Sequence, residues 1–131
     1  MTDGQMCCDL KTILSRLLRQ ITAYETGTNS LLPTPSLVLL HMESIALSAL
    51  QDYPCDSRTS TQAAIPWYAL KSIYGAARGW RQGDYGADIN SVLVVIKCTI
   101  QEALEDRYAP PVRQKKAAIK LRVRTQRGEM L

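Results

Sequence analysis

Apolar positions recur along the first part of the chain in steps of three and four. Cys7, Leu10, Leu14, Leu17, Ile21 and Tyr24 follow this spacing, and Ile13 and Leu18 widen the stripe. Lys11, Arg16, Arg19 and Gln20 fall on the other side. This is the signature of an amphipathic helix. It predicts a first helix from about Met6 to Glu25, with Thr2 and Gln5 at capping-box spacing and Gly27 as the stop. The same steps make Leu10, Leu14, Leu17 and Ile21 a candidate seam for a second copy or a partner helix. The seam covers less than three heptads, so packing within the chain is the simpler expectation.

The pattern then changes. From Thr34 to Tyr53 the residues Leu37, Val38, Leu39, Leu40, Met42, Ile45, Ala46, Leu47, Ala49 and Leu50 cover nearly the whole circumference of a helix. Thr34 can cap it, Pro35 suits its first position and Pro54 ends it. An all-round apolar helix belongs inside a bundle, so residues 35–53 are expected to form a central helix of about 28 Å.

Trp67, Leu70, Ile73, Tyr74 and Ala77 form a third helical stripe, which Pro66 is expected to open and which should end near Arg78. Gly79, Gly83 and Gly86 follow and predict an irregular loop. A fourth element, capped by Asp88 or Asn90, runs to about Tyr108. Its β-branched run from Val92 to Ile96 also suits a strand. Ile89, Val92 or Leu93, Ile96, Ile100, Ala103 and Leu104 nevertheless line one helical face, and no turn signal interrupts them. After Pro110 and Pro111, residues 112–126 read as a fifth helix or as an edge strand, since Ile119, Leu121 and Val123 alternate with cations.

These patterns predict an all-α fold, a compact bundle of four to five helices around the apolar helix 35–53. The alternative is an α+β fold with strands near 91–100 and 118–125. The chain divides into a helical body, 1–110, and a basic C-terminal segment, 111–131. Its 131 residues suffice for a single core.

Charge sharpens that division. From Val112 onward there are seven basic residues (Arg113, Lys115, Lys116, Lys120, Arg122, Arg124 and Arg127) and one acid, Glu129, a net of +6. The preceding residues, with nine basic and eleven acidic side chains, sum to −2. A mildly acidic body with a basic end points to a polyanionic partner for that end. Arg78 and Arg81 alternate with Trp80 and Tyr85, and arginine beside aromatics suits phosphate contact and base stacking.

The inventory of an active site is thin. His41, the one histidine, sits in the most apolar stretch, with no triad spacing to Ser44 or Glu43. The four cysteines lack metal-knuckle spacing and suit reduced thiols. Glu102, Glu105 and Asp106 have no following histidine, as a carboxylate-bridged metal site would need. No cofactor or metal is expected. No transmembrane helix is expected either, since Pro33, Thr34, Pro35, His41 and Glu43 interrupt the longest apolar run. Residues 1–10 have no basic residue, unlike a secretory leader, so a cytoplasmic or nuclear site is expected. Phe is absent, a bias that fits a reading frame under outside constraint, as in a compact viral genome.

The sequence therefore predicts a small, non-enzymatic accessory protein that binds nucleic acid, RNA foremost, through its basic C-terminal segment. Arg78, Arg81, Trp80 and Tyr85 would assist. The alternative is a protein-interaction module that docks a partner through the first helix or a groove on the central one, or that forms a homodimer.

Overall fold

The computed structural model describes residues 2–28, 34–55, 59–83 and 88–108. They form four helices: α1 (Asp3–Glu25), α2 (Pro35–Asp52), α3 (Thr61–Arg81) and α4 (Ile89–Leu104). Helix accounts for 82% of these residues and no strand occurs among them. The fold is an all-α bundle. The strand alternative fails at 91–100, which lies wholly within α4. The second strand segment, 118–125, and the fifth helix, 112–126, lie outside the described residues.

Each helix start has a local cause. Thr2, Thr34, Ser60 and Asp88 are the N-caps, and each side chain accepts the backbone N–H three residues on. The ends are equally local. After α1, Thr28 N–H reaches Ala23 O and Gly27 N–H reaches Tyr24 O, with Gly27 at φ +73°. This double closure satisfies carbonyls that the helix leaves open. Asp106, at φ +58°, reverses the chain in the same way after α4.

α1 starts at Asp3 rather than Met6 and α4 ends at Leu104 rather than Tyr108, and both boundaries of α3 also differ from the sequence expectation. Pro66 does not open α3. It lies inside that helix, fully buried, and Ser60 caps a start five residues earlier. A proline cannot donate to the carbonyl four residues back. Here the Cys7 thiol donates to that carbonyl, Gln62 O, at 3.9 Å. At the other end, Gly79 is buried within α3 instead of starting a loop, and Gly83 (φ +76°) provides the stop.

The topology is up-down-up-down. Ser60 N–H donates to Asp3 Oδ2 at 3.1 Å, which sets the starts of α1 and α3 side by side. Lys97 meets Glu25 and Lys11 meets Asp106, so α4 runs antiparallel to α1. The Tyr53 hydroxyl at the end of α2 donates to Asp9 near the start of α1 at 3.1 Å, and Arg81 at the end of α3 meets Glu43, so α2 runs antiparallel to α1 and α3. Met6, Leu10, Leu14, Leu17 and Ile21 of α1 interlock with Ala69, Leu70, Ile73 and Ala77 of α3 and with Val92, Leu93, Ile96 and Ile100 of α4 in one core. Every helix touches the other three, and the hub is α3, which makes the most extensive contacts of the four, the largest with α2. The inward positions of α3 include Ala63, Ala64, Ala69, Ala77 and Gly79, and small side chains let neighbouring helices approach closely.

The helix 35–53 is thus not the centre. Val38, Leu39, Met42, Ala46 and Ala49 of α2 are buried, but Leu37, Leu40 and Leu47 face outward. α2 touches α1 and α4 only sparsely. A helix apolar all round at a bundle corner must leave one side in solvent, and α3, with its smaller side chains, takes the middle.

Candidate nucleic-acid interface

The outward face of α3 is cationic. α3 contains no acidic residue. Lys71 and Arg78 lie exposed on it, seven residues apart and hence on one face. Each sits over an aromatic ring four residues before it. Lys71 Nζ is 5.6 Å from the Trp67 ring centre, and the Arg78 guanidinium is 5.8 Å from that of Tyr74. Arg78 Nη1 also donates to the Tyr74 hydroxyl at 3.1 Å. Cation–π pairs of this kind steady a long side chain while leaving its charge at the surface. Among the described residues neither cation forms an ion pair with a carboxylate.

Between them lies Gly75, exposed in the interior of α3. Apart from its chain neighbours and the backbone of its own helix, no described atom would come within 4 Å of a Cβ placed there. Glycine inside a helix costs about 0.5–1 kcal/mol relative to alanine. Gly27 and Gly83 have a positive φ to account for them, whereas Gly75 has neither that nor a close neighbour among the described residues.

The described chain ends against the same helix. After Asp106 reverses direction, Tyr108 is half-buried and its hydroxyl shares a hydrogen bond with that of Ser72, the residue after Lys71. Burial holds the Tyr108 phenol above the usual tyrosine range, although the Ser72 bond works against it. The basic segment continues from this point.

The arginine–aromatic group expected near the glycines is only partly assembled. Arg78 and Arg81 occupy the last turn of α3, where cations complement the helix dipole. Arg81 does not face out as an unpaired cation. Its Nε and Nη2 donate to Glu43 Oε2 and Oε1 at 2.9 and 2.7 Å, which ties α3 to α2. Glu43 is only 12% exposed, and this bond, with the fields of Arg81 and Arg78, holds its carboxyl below the usual range. Trp80 is half-buried against the core. Tyr85 and the basic residues Arg113, Lys115, Lys116, Lys120, Arg122, Arg124 and Arg127 lie outside the described residues. Lys71, Gly75 and the Trp67 and Tyr74 pairings are the members that sequence reasoning missed. The signal for them was the i, i+4 spacing of aromatic and cation, repeated after seven residues.

The partner seam is placed elsewhere than expected. Leu10, Leu14, Leu17 and Ile21 are fully buried in the chain's own core. In this fold they are not at the surface, so a partner cannot reach them. Among the described residues the exposed large apolar side chains are instead Leu37, Leu40 and Leu47 on α2 and Val94 and Val95 on α4.

Among the described residues the other polar groups do not converge. An open cleft of about 590 Å³ between the starts of α1 and α3 is lined by Cys7, Cys8, Lys11 and Thr12, but Lys11 turns away to Asp106 at 2.9 Å. His41 Nε2 is buried and has no hydrogen-bond partner among the described residues. Cys7, Cys8, Cys55 and Cys98 are free thiols. Among the described residues no helix is long and apolar enough to cross a membrane, and no cluster of three or more metal-ligating side chains occurs. No family model, curated protein or solved structure matches the chain.

Proposed function

We propose that this protein is a non-enzymatic nucleic-acid-binding accessory protein, with RNA as its ligand. Its basic C-terminal segment is the principal contact and the outward face of α3 the adjoining one. The observation that carries this reading is the junction at Tyr108. The chain passes from the body into its most basic stretch beside a helix that has no acid and turns Lys71 and Arg78 outward. Two positive surfaces joined at one point form a track for a polyanion. Binding of this kind is electrostatic, tolerant of sequence and steeply weakened by salt. A cytoplasmic or nuclear site belongs to the reading, and so does the viral origin suggested by composition.

The test is a fluorescence-anisotropy titration with labelled single-stranded RNA, double-stranded RNA and double-stranded DNA at two salt concentrations. Replacing Lys120, Arg122, Arg124 and Arg127 by Ala should weaken binding. For every phosphate that the variant no longer neutralises, the slope of log K against log salt should flatten by about 0.7 on a single strand. An unchanged slope would remove the segment from the binding surface.

One observation favours a second reading, a protein-docking module. Leu37, Leu40 and Leu47 form an apolar stripe on α2 that no described residue covers. A partner's amphipathic helix would fit such a stripe. Cutting the chain after Ala109 separates the two readings, since partner binding that survives the cut favours docking on the bundle.

A further inference from the structure

We propose that the sugar–phosphate backbone of the bound nucleic acid crosses α3 at Gly75, so that this glycine is a close-approach site flanked by two phosphate-binding cations. The inference rests on the nucleic-acid reading above and names a second contact, on the body rather than on the basic segment. Lys71, Gly75 and Arg78 are spaced four and three residues apart, so they share one face over about 10 Å of helix.

The starting point is an unfavourable residue. Glycine weakens a helix interior, and the described part of the chain gives Gly75 no compensating reason: apart from its chain neighbours and the backbone of its own helix, nothing lies within 4 Å of a Cβ placed there, and its φ is not positive. A bare helix surface does permit a bulky group to ride close to the backbone. The cations on either side fix the sign of that group. α3 has no acid, and its third cation, Arg81, is taken up by Glu43. A phosphodiester drawn down over Gly75 would come within reach of both Lys71 and Arg78. Trp67 and Tyr74, half-buried against the core, hold those two cations at the surface. A side chain at residue 75 would hold the strand off both cations.

Four variants of the full chain test this, read by thermal unfolding and by anisotropy with a labelled single-stranded RNA. Gly75→Ala should raise Tm by about 4 °C, because alanine is the better helix former and the site is open. Gly75→Leu should keep the fold and weaken RNA binding by roughly tenfold or more, as expected when the strand is held away from both cations. Lys71→Ala with Arg78→Ala should flatten the log K against log salt slope by about 1.4, two phosphates at about 0.7 each. Ser48→Leu, on the exposed side of α2, is the control and should change affinity less than twofold. Wild-type affinity in Gly75→Leu overturns the close approach, and if the basic-segment variant still binds weakly, the nucleic-acid reading survives without it. A fall in Tm for Gly75→Ala also overturns it, because the chain itself would then cover the site. Failure of the wild-type protein to bind any of the three nucleic acids at low salt removes both proposals.

Discussion

α1 and α3 run parallel, while α2 and α4, the two most apolar helices, leave leucines and valines in solvent. In α1 the apolar residues form one narrow stripe, and its five core positions are all at or near zero exposure. In α2 a comparable number of apolar residues is spread around the helix, and Leu40 remains 53% exposed. Val94 of α4 is 59% exposed. The contrast teaches that total hydrophobicity does not decide which helix is central. Segregation of apolar residues to one face and small side chains at the crossing do. Ala69, Ala77 and Gly79 make α3 the thin helix that others can surround.

The widest test of that contrast compares leucines on the two kinds of helix. Leu14→Ala should destabilise the protein by about 2–5 kcal/mol, since it empties a fully buried site. Leu40→Ala should cost no more than about 0.5 kcal/mol. Urea unfolding followed by circular dichroism measures both. Equal costs would mean that α2 is covered in solution and that the contrast is not real.

Much of this was legible beforehand, and the reasons are local. The caps at Thr34 and Asp88 and the stop at Gly27 could be read because a side chain three residues from an open N–H, or a glycine after a periodic run, acts through neighbours in sequence. Pro66 and Gly79 misled for the complementary reason. Their usual roles as a start and a stop are overridden by tertiary contacts, the Cys7 thiol on Gln62 O in one case and burial against the core in the other. The hub could not be read at all, because it depends on which helix the others can approach. At the candidate interface Arg78 was found by its neighbours in sequence. The bond from Arg81 to Glu43 spans 38 residues and leaves no local trace.

The next effect in size separates the attachment of α2 from that of α4. Asp88→Ala removes the cap of α4, whose carboxylate accepts from Ser91 N–H at 2.9 Å, and should lower Tm by about 4 °C. Arg81→Ala removes the bidentate tie between α3 and α2, and with Arg81 about half exposed it should lower Tm by only about 2–3 °C. Both carboxyls are held below their ordinary values, Asp88 by its bonds from Ser91 and Glu43 by the bond from Arg81. A lowered folded value contributes stability that is present above the unfolded pKa and lost as pH falls through the folded one. Stability should therefore be undiminished by these groups above about pH 4.5 and should decline below it. The two single variants should each show a shallower acid decline than wild type. A decline unchanged in both would mean that neither group links the outer helices to pH.

The smallest expected effect is the most informative about α2. Replacing Leu37, Leu40 and Leu47 together by Gln removes an apolar stripe that nothing in the described chain covers. Glutamine is as good a helix former as leucine to within a few tenths of a kcal/mol, so Tm should move by no more than about 2 °C. What should change is association. A stripe in steps of three and then seven presents one face, and single chains seldom leave such a face bare without a partner. Sedimentation velocity over a hundredfold range of concentration would show a wild-type protein that self-associates and a triple variant that does not, if the stripe pairs copies of the chain. If both remain monomeric, the stripe does not pair copies of the chain, and the docking reading is tested by whether the triple variant loses a protein partner while still binding RNA. A large fall in Tm would contradict the placement of α2 at the outside of the bundle, because residues that face solvent cannot support the core.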